Sequence, residues 1–302
     1  MTVPSLPPLP PRSAAEIVDG AVQLIRPQFG YFLRIAAIGA IPSLIQTVAA
    51  LLIFPTQSTD PTVFVQEQLK LLPLTLLAYA FTTAQSGAIV IGALAALRGD
   101  ALPSVWSAFT AAFRRIFALL GANLLLILAL LVVLVPAVFG ATLLFVTGTG
   151  LAGQLSQFGT VGIIAIAIGS LLGFVGILFV MVSAFARSAV MTALVVAEQL
   201  GPVQALRRSH ALSSGNYLLL ARTYALVGLI ILVVYAVMAG IATAFRGQQQ
   251  LASALVSLLI IPVTPIIGGV MLLTYADLRV RREGADLDAE LDALSGAAVL
   301  AV

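Results

Sequence analysis

The sequence contains no cysteine and a single histidine, His210, among its 302 residues. Disulfides and thiolate chemistry are therefore excluded, and a histidine cluster for a metal ion or a proton relay cannot form. Charged residues are also scarce, at 9% of the chain, whereas soluble domains carry roughly 25%. We accordingly expect neither a metal ion nor another cofactor.

Hydrophobic residues make up 61% of the chain, and the mean hydropathy is +1.12. A water-soluble fold of this size could not cover its surface with so few charges, so the composition indicates a lipid bilayer as the solvent. The net charge is only +3, and the arginines lie at the ends of apolar runs. That distribution is typical of membrane topology and argues against a nucleic-acid partner.

Six apolar runs are long enough to cross the hydrocarbon layer, which takes about 20 residues in a helix. The predicted spans are residues 29–54, 71–97, 117–146, 161–186, 217–245 and 251–275. The fourth carries Gly169, Gly173 and Gly176 at a spacing that permits close helix contact. Two prolines, Pro262 and Pro265, predict a break in the sixth span.

Three shorter segments precede the first, third and fifth spans and place apolar residues on one helical face. The first opens with Ser13 and Glu16 at the spacing of a capping box, and the others follow Pro103 and Pro202. Trp106, the single tryptophan, fits an anchor at the membrane surface. The predicted fold is therefore an all-α membrane protein, with six transmembrane helices and three short amphipathic interfacial helices on the cytoplasmic side.

The basic residues predict the orientation. If the N-terminus lies in the cytoplasm, thirteen of the fifteen basic residues fall on the cytoplasmic side, and only Lys70 and Arg246 fall outside. Both termini are then cytoplasmic. We expect a disordered, proline-rich leader over residues 1–12, a single membrane domain over residues 13–278 and a cytoplasmic tail over residues 279–302.

Polar residues on the second span recur on one helical face, at Thr75, Tyr79, Thr82, Thr83 and Ser86. In lipid, such a face must contact protein or water. Two interpretations remain open: hydrogen bonds between helices, or the lining of a cavity for a solute.

The segment between the fourth and fifth spans concentrates charge at the cytoplasmic side. Glu198 has arginines nearby, and a carboxylate at membrane depth requires such a partner. The pairing could simply hold the segment in place, or the arginines could bind the phosphate of an anionic lipid headgroup. The candidate anion-binding residues are Arg34, Arg187, Arg207, Arg208 and Arg222, with Glu198 as their structural partner.

Two motifs, VVAEQLGPVQALRRSHALSSGNY at residues 195–217 and YADLRVRREGADLDAE at residues 275–290, resemble a family of bacterial integral membrane proteins. This is the membrane domain of glycerophosphodiester phosphodiesterases, close in pattern to the YciC-like membrane proteins. Residues 16–33 resemble the opening helix of that family. The resemblance implies a six-helix bundle in the bacterial cytoplasmic membrane. The phosphodiesterase activity of such proteins resides in a soluble domain rich in histidine and acidic metal ligands, which this sequence lacks.

The sequence contains no phosphate-binding glycine loop, no nucleophile motif and no zinc motif. We therefore expect a non-enzymatic, multi-pass membrane scaffold or accessory protein that binds anionic membrane lipids at its arginines. The acidic tail could also bind a protein partner. The alternative is a small-solute or lipid transporter, which the polar face of the second span and the broken sixth span favour.

Overall fold

The computed structural model describes residues 10–53, 61–132, 190–244 and 258–284, together with the isolated residues 135, 164, 168, 169 and 173. The regular structure within these ranges is helical, and no β-strand occurs in them. The prediction of an all-α protein is therefore confirmed for the part of the chain that the structure describes.

The helices follow one another along the chain with short connections where both neighbours are described. They are α1 (Ala14–Ile25), α2 (Phe29–Ile53), α3 (Pro61–Arg98), α4 (Val105–Phe113), α5 (Ile116–Val132), α6 (Met191–Ala197), α7 (Pro202–Ser213), α8 (Tyr217–Ala244) and α9 (Thr264–Glu283). A 3₁₀ turn, Arg26–Gln28, joins α1 to α2. Residues 258–260 are also helical and lead into α9 through a turn.

Four stretches of the described chain are helical, long and apolar enough to cross a bilayer: Ala14–Ala50, Val65–Arg98, Tyr217–Gly240 and Leu258–Glu283. The pair α4 and α5, bent by 68°, would make a fifth if it counts as one span. These stretches correspond to the first, second, fifth, sixth and third predicted spans. The fourth predicted span lies outside the described residues except for isolated positions.

Several helix boundaries differ from the sequence prediction. Residues 61–70, which we expected in a loop, form the first turns of α3, because Pro61 occupies the first helical position, where its missing N–H costs no hydrogen bond. At the other end of the chain, α9 continues beyond Tyr275 to Glu283 and ends at Gly284 in the left-handed conformation (φ 62°). Helix α1 ends at Ile25, and the 3₁₀ turn that contains Pro27 leads directly into α2 at Phe29.

Short helices form at the three predicted positions, as α1, α4 and α7. The capping box of α1 is present, with Glu16 N–H donating to Ser13 and Ser13 N–H donating to the Glu16 carboxylate at 2.6 Å. The apolar face of α1 is buried against α8 and α9, where Ile17 contacts the cluster of Val227, Val270 and Leu273. These faces therefore pack against the long helices of the protein itself.

Helices α2 and α5 both pack antiparallel to α3. Contacts between α2 and α3 run in opposite order along the two helices: Tyr31 with Gly92, Gly39 with Gln85, and Gln46 with Thr75. The contacts of α5 with α3 run the same way, Leu119 with Gly87 and Asn123 with Thr83. The start of α2, the end of α3 and the start of α5 consequently lie at one end of the bundle.

The same end receives α1, α7 and the end of α9. Arg12 bonds to Asp277, and the position of Gly215, just before α8, lies beside Arg282. We call this the basic end, defined by the following residues: Arg12, Arg98, Arg114, Arg115, Arg208, Arg279, Arg281 and Arg282. Most of the fully buried apolar side chains lie towards this end, although Trp106 and Phe117 are exposed there, and Leu52, Val132 and Leu232 further along the helices are 79%, 74% and 63% exposed. Such an apolar surface is suited to lipid.

Close packing of α2 on α3 depends on Gly39. A methyl group at this position would overlap the side chain of Gln85, whereas one at Gly30 in the same helix would meet nothing within 4 Å. We expect Gly39→Ala to lower the free energy of unfolding by about 1–3 kcal/mol through overpacking, and Gly30→Ala to be neutral or stabilising by up to about 1 kcal/mol. Thermal unfolding in detergent measures both. Equal melting temperatures for the two variants would contradict this packing.

Candidate functional site

A buried carboxylate lies at the centre of the basic end. The Glu198 side chain, in the turn between α6 and α7, is 6% exposed. Its Oε2 accepts a hydrogen bond from Arg208 Nε at 3.1 Å, and its Oε1 accepts one from the Tyr275 hydroxyl at 2.9 Å. Arg208 belongs to α7 and Tyr275 to α9. The charge of Glu198 is therefore satisfied by two other helices.

Arg208 extends the contacts of Glu198 into a closed ring. Its Nη2 lies 2.5 Å from Glu283 Oε1, and Glu283 Oε2 accepts a hydrogen bond from Arg279 Nε at 3.1 Å. The Arg279 guanidinium in turn lies 5.9 Å from the centre of the Tyr275 ring, within cation–π range. We call these five residues the charge network: Glu198, Arg208, Tyr275, Arg279 and Glu283.

The charge network keeps Arg208 ionised. Burial alone lowers the pKa of the Arg208 guanidinium, but its hydrogen bond to Glu198 and the charges of Glu198 and Glu283 outweigh burial, so the pKa is raised. Since two carboxylates already balance its single charge, Arg208 has little positive potential left for an additional anion.

A second set of contacts joins the N-terminal segment to α9. Asp277, whose side chain is 2% exposed, accepts hydrogen bonds from the Arg12 N–H and from Arg281 Nε, both at 2.6 Å. Arg281 Nη2 also donates to the Arg12 carbonyl at 2.7 Å. The N–H and carbonyl groups of Arg12, the residue before the N-cap of α1, are therefore both hydrogen-bonded to side chains of α9. Sequence reasoning missed this contact, although Asp277 and Arg281 have the spacing of a helical ion pair.

The structure does not gather the predicted anion-binding residues into one site. Arg34, Arg207 and Arg222 are exposed on α2, α7 and α8, and no described contact joins them to one another or to the charge network. Of the predicted arginines that the structure describes, Arg208 is the one that bonds to Glu198. Arg187, like the acidic tail, lies outside the described residues.

Two members of the polar face on α3 make contacts between helices. Thr75 accepts a hydrogen bond from Gln46 of α2 at 2.7 Å, and Thr83 accepts one from Asn123 of α5 at 3.2 Å. Thr82 and Ser86 donate to carbonyls of their own helix, and Tyr79 is partly exposed. Two of the five residues on this face therefore make interhelical hydrogen bonds.

Two open pockets lie at the basic end. The α4–α7 pocket, of about 520 Å³, lies between the α4–α5 bend and the α6–α7 turn, and its lining includes Arg114, Arg115, Phe117, Gln199, Leu200 and Gly201. The α7–α9 pocket, of about 410 Å³, adjoins the charge network, and its lining includes Arg208, His210, Ser214, Arg282 and Glu283. Sequence reasoning placed Arg114 and Arg115 at the cytoplasmic end of a helix but did not predict a pocket there, because its second wall comes from a segment some 85 positions later.

Comparison of the chain with known protein families, with curated proteins and with solved structures finds no match. The function is therefore argued from the geometry of the basic end.

The charge network predicts a measurable difference between two adjacent arginines. Arg208→Met leaves the buried Glu198 without its cation, so we expect it to lower the free energy of unfolding by about 2–3 kcal/mol, less than for a fully buried pair because Arg208 is 30% exposed. Arg207→Met, which removes an exposed charge on the same helix, should change it by less than about 0.5 kcal/mol. Thermal unfolding in detergent compares them, and equal losses of stability would refute the structural role of Arg208.

Proposed function

We propose that this chain is a non-enzymatic, multi-pass scaffold or accessory protein of the bacterial cytoplasmic membrane, with six spans, cytoplasmic termini and anionic lipid bound at its basic end. The observation that carries the proposal is that charged and apolar surfaces occupy different parts of the bundle. Arginines lie together at one end, while large apolar side chains are exposed along the helices beyond it. A bilayer with anionic headgroups on the cytoplasmic side complements both surfaces.

The exposed arginines support contact with anionic lipid. Arg34, Arg207 and Arg222 are exposed and lie on helices whose starts are at the basic end. An arginine close to a membrane surface contributes about 1 kcal/mol of attraction to anionic lipid. These residues are therefore proposed to attract headgroups as separate charges rather than as one cluster.

The positions of the three short helices support the placement of the membrane surface at the basic end. Each lies at the basic end, and each buries apolar residues against a long helix, such as Phe109 of α4 and Leu212 of α7. Trp106 on α4 is 75% exposed and Phe117 at the start of α5 is 86% exposed. Exposed aromatic side chains beside arginines are typical of the headgroup layer, so α1, α4 and α7 are proposed as the interfacial helices.

A structural rather than catalytic role is supported by the acidic residues of the basic end. Glu198 and Glu283 are paired with Arg208 of α7, and Asp277 accepts a hydrogen bond from the Arg12 N–H, so each carboxylate links separate segments of the chain. A scaffold needs such contacts, since they hold helices in fixed relative positions.

A transporter is the second candidate, and one observation favours it. The last span is interrupted by a turn at residues 261–263, which contains Pro262, and interrupted spans often form transport sites. The polar residues Thr75 and Thr83, however, already hydrogen-bond to neighbouring helices. We therefore rank the scaffold above the transporter.

The proposed orientation predicts where single cysteines react. Because the chain has no native cysteine, cysteines introduced at the exposed positions Ala15 and Ala211 should react with an impermeant maleimide only in inverted vesicles. Cysteines at Gln66 and Gln68, near the other end of α3, should react in intact spheroplasts. Labelling of both groups from the same side would refute the topology.

The proposed lipid preference is tested on the wild-type chain alone. We expect protein purified in mild detergent to retain phosphatidylglycerol several-fold better than phosphatidylcholine in native mass spectrometry, with the difference falling as salt rises because exposed charges are screened. Equal retention of the two lipids would refute anionic lipid binding. The two lipids are chosen with acyl chains of the same length, so that contacts with the apolar surface of the protein contribute equally to both.

A further inference from the structure

The α4–α7 pocket forms where two helix breaks face each other. On one side, the chain turns by 68° between α4 and α5 at Arg114 and Arg115. On the other, it leaves α6 and enters α7 through Gln199, which has a left-handed backbone (φ 58°), and Gly201, which caps α7. Gly121 of α5 touches Pro202 at the start of α7, since a methyl group there would lie 3.0 Å from the proline ring. The two walls are thus in direct contact.

The pocket has positive charge that no carboxylate of the described residues balances. Arg114 and Arg115 both line it, and its described lining contains no acidic residue. Among the described residues, neither arginine takes part in an ion pair. Arg115 Nη1 donates a long hydrogen bond, 3.5 Å, to the Val195 carbonyl. The α7–α9 pocket differs, because Glu283 lines it and Arg208 is paired with both Glu283 and Glu198.

The two guanidinium groups line one pocket together. Arginine pairs with phosphate through charge-assisted hydrogen bonds from its planar fork of N–H donors. The pair therefore favours an anion with several acceptor oxygens, such as a phosphate.

The pocket also has an apolar side. Phe117 lines it and is 86% exposed, and Leu200 and two alanines complete the lining. Its volume of about 520 Å³ falls in the range of about 300–1,000 Å³ usual for small-molecule sites. A bare phosphate would leave this apolar surface uncovered, whereas a phosphate attached to a glycerol and an acyl chain would contact both parts.

We propose that the α4–α7 pocket is a specific phosphate site, in which Arg114 and Arg115 bind the phosphate of an anionic phospholipid and Phe117 contacts the adjoining glycerol and acyl chain. The proposal rests on the membrane location and lipid binding proposed above and gives them a defined site. This site lies apart from Arg34, Arg207 and Arg222, which attract headgroups only as separate surface charges.

The test compares two double variants that remove equal charge from the same end of the bundle. The pocket variant is Arg114→Gln with Arg115→Gln, and the control is Arg207→Gln with Arg222→Gln. With phosphatidylglycerol titrated into detergent-solubilised protein and followed by native mass spectrometry, we expect the pocket variant to bind at least roughly tenfold more weakly, since charge-assisted bonds are lost. The control removes two of the separate surface charges, so it should weaken binding by a clearly smaller factor than the pocket variant does.

Equal losses in both double variants would overturn the proposal, because they would show that binding follows total charge rather than the pocket. If the wild-type protein and the pocket variant bind phosphatidylglycerol equally well, the assignment of the site to this pocket is overturned. The proposed function is then unaffected. Wild-type protein that shows no preference over phosphatidylcholine would overturn both, unless it binds inorganic phosphate or glycerol 3-phosphate through Arg114 and Arg115. In that case the phosphate chemistry of the site stands and its source is soluble.

Two further variants separate lost binding from lost folding. Arg114→Lys with Arg115→Lys keeps both charges, so it should retain more phosphatidylglycerol than the glutamine pair. Phe117→Ala removes an exposed ring and should weaken binding of phosphatidylglycerol several-fold without affecting inorganic phosphate. If Phe117→Ala weakened both ligands equally, or neither, the assigned contact with the lipid chain would be wrong.

Discussion

The buried carboxylate of Glu198 is the contact on which the basic end depends. A desolvated charge is tolerated only when its partners are well placed, and Glu198 obtains them from two helices, Arg208 of α7 and Tyr275 of α9. Its bonds therefore determine how the α6–α7 turn lies against α9. Gln199 and Gly201, the next residues along that turn, form one wall of the α4–α7 pocket. A contact with a structural role thus positions the residues of the proposed binding site.

Away from the basic end, the bundle depends on close backbone approach. Lipid provides no hydrophobic driving force between helices, so dispersion contacts and hydrogen bonds decide which faces pack. Gly39 and Gly268 allow the side chains of Gln85 and Ile89 to fit directly against a neighbouring backbone. Few polar side chains are needed in addition, and the bonds of Thr75 and Thr83 link α3 to α2 and to α5. α3 consequently serves as the central helix of the described bundle.

Arginines at the basic end have different roles because their neighbours differ. Arg208 and Arg281 are bound by carboxylates and hold α7 and the N-terminal segment to α9. Arg114 and Arg115 line a pocket to which none of the described residues contributes a carboxylate, and Arg207 is exposed. The positive-inside pattern treats all of these residues alike, because it reflects only the side of the membrane on which a charge resides. The balance of charge around each guanidinium decides which of them can bind a ligand.

The sequence by itself indicated the helical class and a lipid bilayer as the solvent, because the length and polarity of apolar runs decide whether a helix is suited to lipid. Local signals such as the Ser13–Glu16 capping box located the short helices. It also indicated an arginine partner for Glu198, since a carboxylate at that depth requires one. Only the tertiary structure decided that the partner is Arg208, that Asp277 holds Arg12, and that Arg114 and Arg115 share a pocket with Gln199. The reason is physical: these contacts join residues from distant parts of the chain, and their geometry follows from how the helices pack, which no local periodicity records.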